Sequence, residues 1–361
     1  MGLLLSLLFL FINLLTNQDY GYTWDLPHHF NAGLRHLGLQ PLDASFGTQP
    51  YGPIADTLPV LGWLTFYKNW HLLPPDEVYH LFLIIVGALG IYIIYKIAKE
   101  MFGTTTALFS ATILALYPRY LGHIHNNMKD GPSAVAIAFA VWMFVKWTKK
   151  RSKIFYVLAP LSVAIAFNTK VNALLLVPIL GLWLILGFRD QISIKIPKIF
   201  TSTIGKICVT ELLSYSVLSI IFSLLFWFLF WPNPVFQLTE LFRHFSGTLH
   251  GFNVLYFGKI YYVGINTPWH YALGYFLAVT PFLMLIFVFI GLIKLITDTI
   301  FLKNRYSALV LAWFFVPTLK YLHPNIGVFD DIRHFLEAVF PLCIMAGVGA
   351  TIALSFILIK L

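Results

Sequence analysis

Four short stretches of this 361-residue chain gather ionisable side chains at spacings that could do chemistry. The first, "YTWDLPHHF", sets Asp25 beside Trp24, His28 and His29. A carboxylate there could serve as a base at a bilayer surface, or could simply cap a helix within an aromatic belt. The second, "YPRYLGHIHNNMKDGPSA", puts Arg119, His123, His125, Lys129 and Asp130 within twelve positions. Lys129 next to Asp130 would suit a surface pair, but the density of charge argues for a site. His-x-His without a clear third ligand is a weak zinc signal, so no metal is expected. In "NTKVN", Lys170 occupies a short turn between apolar runs, where a snorkelling lysine is the simpler reading. The fourth, "HPNIGVFDDIRHFLEAVFPL", offers Asp330, Asp331, Arg333 and His334, with Glu337 a turn further on. The planar donor fork of arginine suits an anion such as phosphate.

The elements that must position these residues follow from composition. The chain is 59% hydrophobic, 17% aromatic and only 11% charged, which leaves too little polar surface for a soluble globule. An all-α polytopic membrane protein is expected, with residues 1–361 forming one integral domain. Apolar runs of about the length needed to cross hydrocarbon, roughly 17 to 25 residues with shorter ones allowed inside protein, number about ten. They run approximately over residues 2–16, 78–95, 105–117, 131–147, 154–168, 172–187, 207–231, 271–296, 307–319 and 335–359. The first run has no basic n-region and no small-residue cleavage site, so an uncleaved anchor is expected. Cys208 and Cys343 fall in apolar segments and imply no disulfide or metal framework.

Charge asymmetry orients the bundle. With the N-terminus inside, the inner connections hold 15 of the 24 lysines and arginines, among them Lys146, Lys149, Lys150, Arg151 and Lys153, while 11 of the 15 acids lie outside. The net charge of +9 is therefore explained by topology, and no nucleic-acid partner is needed. The outer loops, about residues 17–77 and 232–270 among them, are long and the inner ones mostly short, which concentrates the chemistry on the outer side. A helix over Pro27–Leu37 and another in "FQLTELFRHFSGTL" carry apolar faces that would lie along the membrane surface. All four stretches fall on this outer face, at the depth of lipid phosphates. A membrane enzyme with a lipid-phosphate substrate fits this better than a transporter, whose ionisable groups belong near the midplane.

Together, "YTWDLPHHF", "QPYGPIADTLP", "NNMKDGPSA", "GINTPWHYALGYFLAVTPFLMLIFVFIGL" and "FDDIRHFLEAVFPL" resemble, in order and placement, the polyprenyl-phosphate-dependent glycosyltransferases of GT-C fold, family 39, the protein mannosyltransferase and aminoarabinose transferase group. The resemblance implies transfer of a sugar from dolichyl or undecaprenyl phosphate to a protein, lipid or glycan acceptor on the extracytoplasmic side of the cell membrane, with inversion. It implies Asp25 as the base that deprotonates the acceptor and Asp130 as a second catalytic-loop acid that orients acceptor or sugar. Lys129, Arg333 and His334, with Arg119 and His29, are implied around the carrier phosphate, where fixed cations oppose the developing charge. Many relatives carry an acidic pair at the first motif. Here Leu26 follows Asp25, which weakens a chelating role, and neither metal nor other cofactor is expected. The competing readings are a ligase for lipid-linked glycans, which would centre its groups in one large late loop, and a polytopic lipid or solute transporter.

Overall fold

The computed structural model describes residues 1–40, 52–188, 192–193, 207–230, 252–323 and 328–360, together with Val235, Thr239 and Ile326. Among these residues the chain is almost entirely helical. Five helical segments are long and apolar enough to span a membrane: Pro75–Phe102, Asp130–Lys150, Val209–Trp227, Phe282–Phe301 and Arg333–Leu358. Four shorter apolar helices accompany them, Gly2–Leu15, Thr104–Ala115, Lys153–Thr169 and Val171–Gly187. The interfacial helix expected over residues 236–249 lies, but for Thr239, outside the described residues.

In chain order the helices are α1 (Gly2–Leu15), α2 (Leu26–His36), α3 (Pro53–Gly62), α4 (Pro75–Phe102), α5 (Thr104–Ala115), α6 (Pro118–Asn126), α7 (Asp130–Lys150), α8 (Lys153–Thr169), α9 (Leu176–Phe188), α10 (Val209–Phe230), α11 (Tyr271–Val279), α12 (Phe282–Phe301), α13 (Arg305–Leu319) and α14 (Val339–Lys360). The connections α4–α5 and α7–α8 are too short for anything but antiparallel neighbours. An antiparallel hairpin, β1 (Asn253–Tyr256) and β2 (Lys259–Tyr262), precedes α11.

Burial ranks the spans. The apolar window of α7 is 83% buried, whereas that of α10 is 6% buried and that of α12 is 17% buried, so α7 is central and α10 and α12 present their sides to lipid. Another largely buried helix is α14, whose segment "AGVGA" is wedged between two neighbours. A Cβ at Gly349 would lie 2.0 Å from the Phe287 carbonyl oxygen on α12, and one at Gly347 would lie 2.1 Å from Ser110 Oγ on α5. Lipid supplies no hydrophobic drive between helices, and close approach over small residues supplies dispersion contact in its place.

Two expectations change. The run over residues 271–296 is not one helix: α11 ends at Val279 and α12 begins after Pro281, which has extended ψ and no N–H to continue the ladder. The helix expected over Pro27–Leu37 forms as α2, but its apolar stripe faces protein. Leu26, Phe30, Leu34 and Leu37 pack on Val60, Tyr79, Leu83 and Met128, a small core under the first outer loop. A stripe at helical spacing is the same signal whether lipid or protein covers it.

Candidate functional site

The loop between α1 and α2 is stitched to the bundle at several points. Asn17 Nδ2 donates to the Glu77 carbonyl at 2.9 Å, the Tyr20 ring stacks on His125 at 3.7 Å between centroids, and Thr23 Oγ1 donates to the Asn126 carbonyl at 3.2 Å. These contacts deliver Asp25 to the end of the bundle where α7 begins. Asp25 occupies the N-cap position of α2, yet its side chain makes no capping bond. Its carboxylate is turned instead toward a residue 308 positions away: Arg333 Nη2 donates to Asp25 Oδ2 at 2.5 Å.

Arg333 lies in a 3-10 segment, Arg333–Ala338, that leads into α14. Its Nε donates to Asp130 Oδ2 at 2.9 Å and its Nη1 to Asp330 Oδ2 at 3.0 Å, so each of its three nitrogens serves a different carboxylate. Asp130 is buried at the first turn of α7. Besides Arg333 it accepts from Lys170 Nζ and, at 2.7 Å, from Asn127 Nδ2. The Asn127 side-chain oxygen in turn accepts from the Lys129 and Asp130 backbone N–H groups, which caps the helix. A carboxylate is favoured there by the helix dipole as well as by two cations. Sequence reasoning read Lys170 as a snorkelling side chain; in the fold it is a partner of Asp130.

Asp330 and Asp331 both hold left-handed backbone, with φ of 53° and 55°. Consecutive non-glycine residues in this region are costly and are kept where function or packing demands them. The turn aims Asp330 at Arg333 and Asp331 at Arg119, whose Nη1 lies 2.9 Å from Asp331 Oδ2.

Between these groups opens a cavity of about 450 Å³, lined among others by Thr23, Trp24, Asp25, His29, Arg119, His123, Asp330, Asp331 and Arg333. Of the residues expected at a site, Asp25, His29, Arg119 and Arg333 meet there. Lys129 and Asp130 are adjacent to it but buried. Burial pushes the Lys129 ammonium well below its ordinary range, with Asp56 and Asp130 opposing the shift. His334 does not line the cavity. Its ring faces Phe329, with 4.4 Å between centroids, and its carbonyl accepts from Asn172 Nδ2 and Tyr321 OH.

Two residues that the sequence reading gave no role belong to the site: His123, noted there only for its spacing to His125, and Asp56. His123, on α6, lines the cavity with its imidazole held below the ordinary range by burial, against the pull of Asp130 and Asp331. Asp56, on α3, is fully buried and bonds His29 Nδ1 through Oδ1 at 2.7 Å. Its sequence signal was an acid within the otherwise apolar run "PIADTLPVLGWL". Among the described residues no group of three histidine, cysteine or carboxylate side chains is arranged to hold a metal ion.

An apolar helical bundle with a charged cavity at one end is the architecture of a multi-pass membrane protein of GT-C type, and comparison with solved structures bears this out. The fold matches ArnT from Cupriavidus metallidurans bound to undecaprenyl phosphate, with TM-score 0.69 at 15% identity over 97% of this chain and 59% of that one. It also matches the Archaeoglobus fulgidus oligosaccharyltransferase tethered to an acceptor peptide, with TM-score 0.62 at 13% identity over 98% of this chain and 49% of that one. The same organism's AglB, in complex with an inhibitory peptide and dolichol-phosphate, gives TM-score 0.58 at 12% identity over 98% of this chain and 50% of that one. The chain thus spans about half to three-fifths of the length of the proteins it matches. A sequence profile described as dolichyl-phosphate-mannose-protein mannosyltransferase matches residues 75–215. No curated protein sequence matches significantly.

Proposed function

We propose that this protein is a membrane glycosyltransferase that moves a hexosyl or pentosyl group from a polyprenyl-phosphate carrier to a protein, lipid or glycan acceptor on the extracytoplasmic face, with inversion. One observation carries the reading. Asp25 is a partly exposed carboxylate on the wall of a polar cavity at the mouth of an apolar bundle, held by an arginine that also holds a buried acid. The similarity to proteins solved with undecaprenyl phosphate and dolichol-phosphate supports the choice of carrier.

Charge supports the extracytoplasmic side. Asp130 opens α7, and Lys149 and Lys150 end this 21-residue helix. At 1.5 Å per residue that is roughly 30 Å, the thickness of the hydrocarbon. With the basic end inside, the cavity faces out.

In the transfer, Asp25 accepts the proton of the acceptor hydroxyl as that oxygen bonds to the anomeric carbon, and the bond from the anomeric carbon to the phosphate oxygen breaks on the opposite side. Electrons of the broken bond remain on the carrier phosphate, which leaves with one more negative charge. Arg119 and His29, on the cavity wall, are assigned to that phosphate. Asp130, buried and bonded by Arg333, Lys170 and Asn127, is assigned a positioning role: it fixes the guanidinium that fixes Asp25. The reading assigns the charge handling to cationic side chains and invokes no divalent metal. Sugar transfer from a radiolabelled carrier lipid, followed in membranes holding the wild type or Asp25→Asn, tests the reading. The variant should insert normally, bind carrier, and lose at least about a hundredfold in rate, the low end of what a lost general base costs. Wild-type turnover by Asp25→Asn would end the assignment.

A further inference from the structure

Asp330 and Asp331 stand side by side on the cavity wall, and their carboxylates are used differently. Asp331 has both oxygens engaged: Oδ2 pairs with Arg119 and Oδ1 accepts from the Ile332 N–H. Asp330 accepts from Arg333 Nη1 on Oδ2, and among the described residues nothing bonds its Oδ1. Its side chain is 57% exposed, against 13% for that of Asp331.

Stability does not account for this arrangement. Two successive aspartates at φ of 53° and 55° are disfavoured backbone, and an exposed ion pair returns little against that. Strain that local contacts do not repay points to a side chain that is used. What Asp330 can bind follows from charge and place. A carboxylate offers lone pairs and no donor, and it repels a phosphate, so its ligand is a hydrogen-bond donor. Place is set by Arg333, whose two terminal nitrogens bond Asp330 and Asp25, so Asp330 stands beside the proposed base. In the proposed transfer the acceptor oxygen at Asp25 bonds to the anomeric carbon, which brings the sugar ring next to both carboxylates. Its ring hydroxyls are the donors at hand. Trp24, on the same cavity and 90% exposed, adds apolar surface suited to the C–H face of a ring. A few fixed polar groups beside aromatic surface, in a cavity of about 450 Å³, match the make-up of a small-molecule site.

We infer that Asp330 is a specificity-determining residue that accepts a hydrogen bond from a hydroxyl of the transferred sugar. The inference rests on the carrier reading above and adds to it a contact with the sugar that the carrier bears.

The test uses the full chain in nanodiscs, with bare undecaprenyl phosphate and undecaprenyl phosphate bearing mannose, glucose or arabinose as probes. Acceptor is left out, so that any contact belongs to the donor. The wild type should prefer at least one sugar-bearing lipid over the bare one. Asp330→Gly removes the carboxylate where glycine is at ease with the backbone, so the variant should keep its thermal stability. It should lose about tenfold in affinity for that sugar-bearing lipid, the low end for a hydrogen bond to a charged group. Bare undecaprenyl phosphate should bind it as well as the wild type or better, since a negative neighbour of the phosphate has gone. Asp330→Asn keeps an acceptor oxygen, tolerates left-handed backbone, and should retain part of the preference. An aspartate that only supports the fold would lower the affinity for both lipids together, and that outcome would overturn the inference. So would an unchanged sugar preference in Asp330→Gly, or a wild type that binds every sugar-bearing lipid no better than the bare one. Failure of the wild type to bind bare undecaprenyl phosphate at all would end the carrier reading itself, and the inference with it.

Discussion

Replacing Arg333 by lysine keeps the charge and removes the fork, and it separates the carrier-phosphate role expected from the sequence from the positioning role that its contacts suggest. In the fold all three guanidinium nitrogens are engaged, with Asp25 at 2.5 Å, Asp130 at 2.9 Å and Asp330 at 3.0 Å. A single ammonium can keep one of these partners at good geometry. The Asp330 pair is largely exposed and contributes at most about 0.5 kcal/mol, and the half-exposed Asp25 pair contributes about 1 kcal/mol after solvent screening. The buried Asp130 bond contributes roughly 1.5 to 3 kcal/mol, less what Lys170 and Asn127 retain. A lysine that follows Asp130 therefore releases Asp25 at a cost of about 1 kcal/mol in positioning, or about fivefold in rate. Steady-state transfer assays with varied carrier should show kcat for Arg333→Lys falling by that factor while KM changes less than about threefold. The opposite pattern, a large rise in KM at unchanged kcat, would mean that Arg333 binds the carrier phosphate directly and would refute the positioning argument.

Gly33→Ala should be among the most damaging small changes in the outer loop, since its Cβ would meet the Asp56 carbonyl at 2.3 Å and Val60 Cγ2 at 2.5 Å. Overpacking of this kind costs about 1 to 3 kcal/mol. Gly21→Ala, with nothing within 4 Å of the new Cβ, is the matched control. Equal thermal stability of the two variants in detergent would remove the α2–α3 contact from the account. Burial would raise the Asp56 carboxyl, but the charge and hydrogen bond of His29 outweigh it and hold the carboxyl below its ordinary range, which fixes the sign of an acid effect. Its contribution to stability is complete above the unfolded carboxylate value of about 4 and is lost as pH falls through the lower folded value. Asp56→Asn should therefore unfold with a shallower dependence on pH below about 4 than the wild type does; identical acid profiles would refute the assignment of that charge.

Much of the bundle was legible because apolar runs and basic inner loops are dictated by the bilayer. So was the meeting of Asp25, Asp130 and Arg333 at one end of the bundle, since the order and length of the spans place all three at the same end. What could not be read were partnerships. Lys170 next to an apolar run looks the same whether it reaches water or Asp130. The stripe of Phe30 and Leu34 looks the same whether it meets lipid or Tyr79. Asp56 becomes intelligible only when α3 packs against α2. Pro281, by contrast, stood in plain view within the run over residues 271–296, and its missing N–H was sufficient reason to end a helix there.

The charge arrangement bears on how the proposed reaction would be timed. Among the groups bonded directly to Arg333 or Asp130, the two cations Arg333 and Lys170 face the three carboxylates Asp25, Asp130 and Asp330. Asp330 is mostly exposed and solvent screens it, so the inner cluster of two cations with Asp25 and Asp130 is close to neutral. A neutral cluster is the inexpensive state near low-dielectric hydrocarbon. When Asp25 takes the acceptor proton it surrenders its charge, and the guanidinium beside it is left partly uncompensated. In the same step the carrier phosphate acquires negative charge as the sugar leaves. A cation freed at that moment stabilises the transition state more than the ground state, and an interaction of that kind raises kcat. The bond between Arg333 and Asp25 would thus couple deprotonation of the acceptor to departure of the carrier, with Asp130 and Lys170 holding the guanidinium still while the charge moves past it.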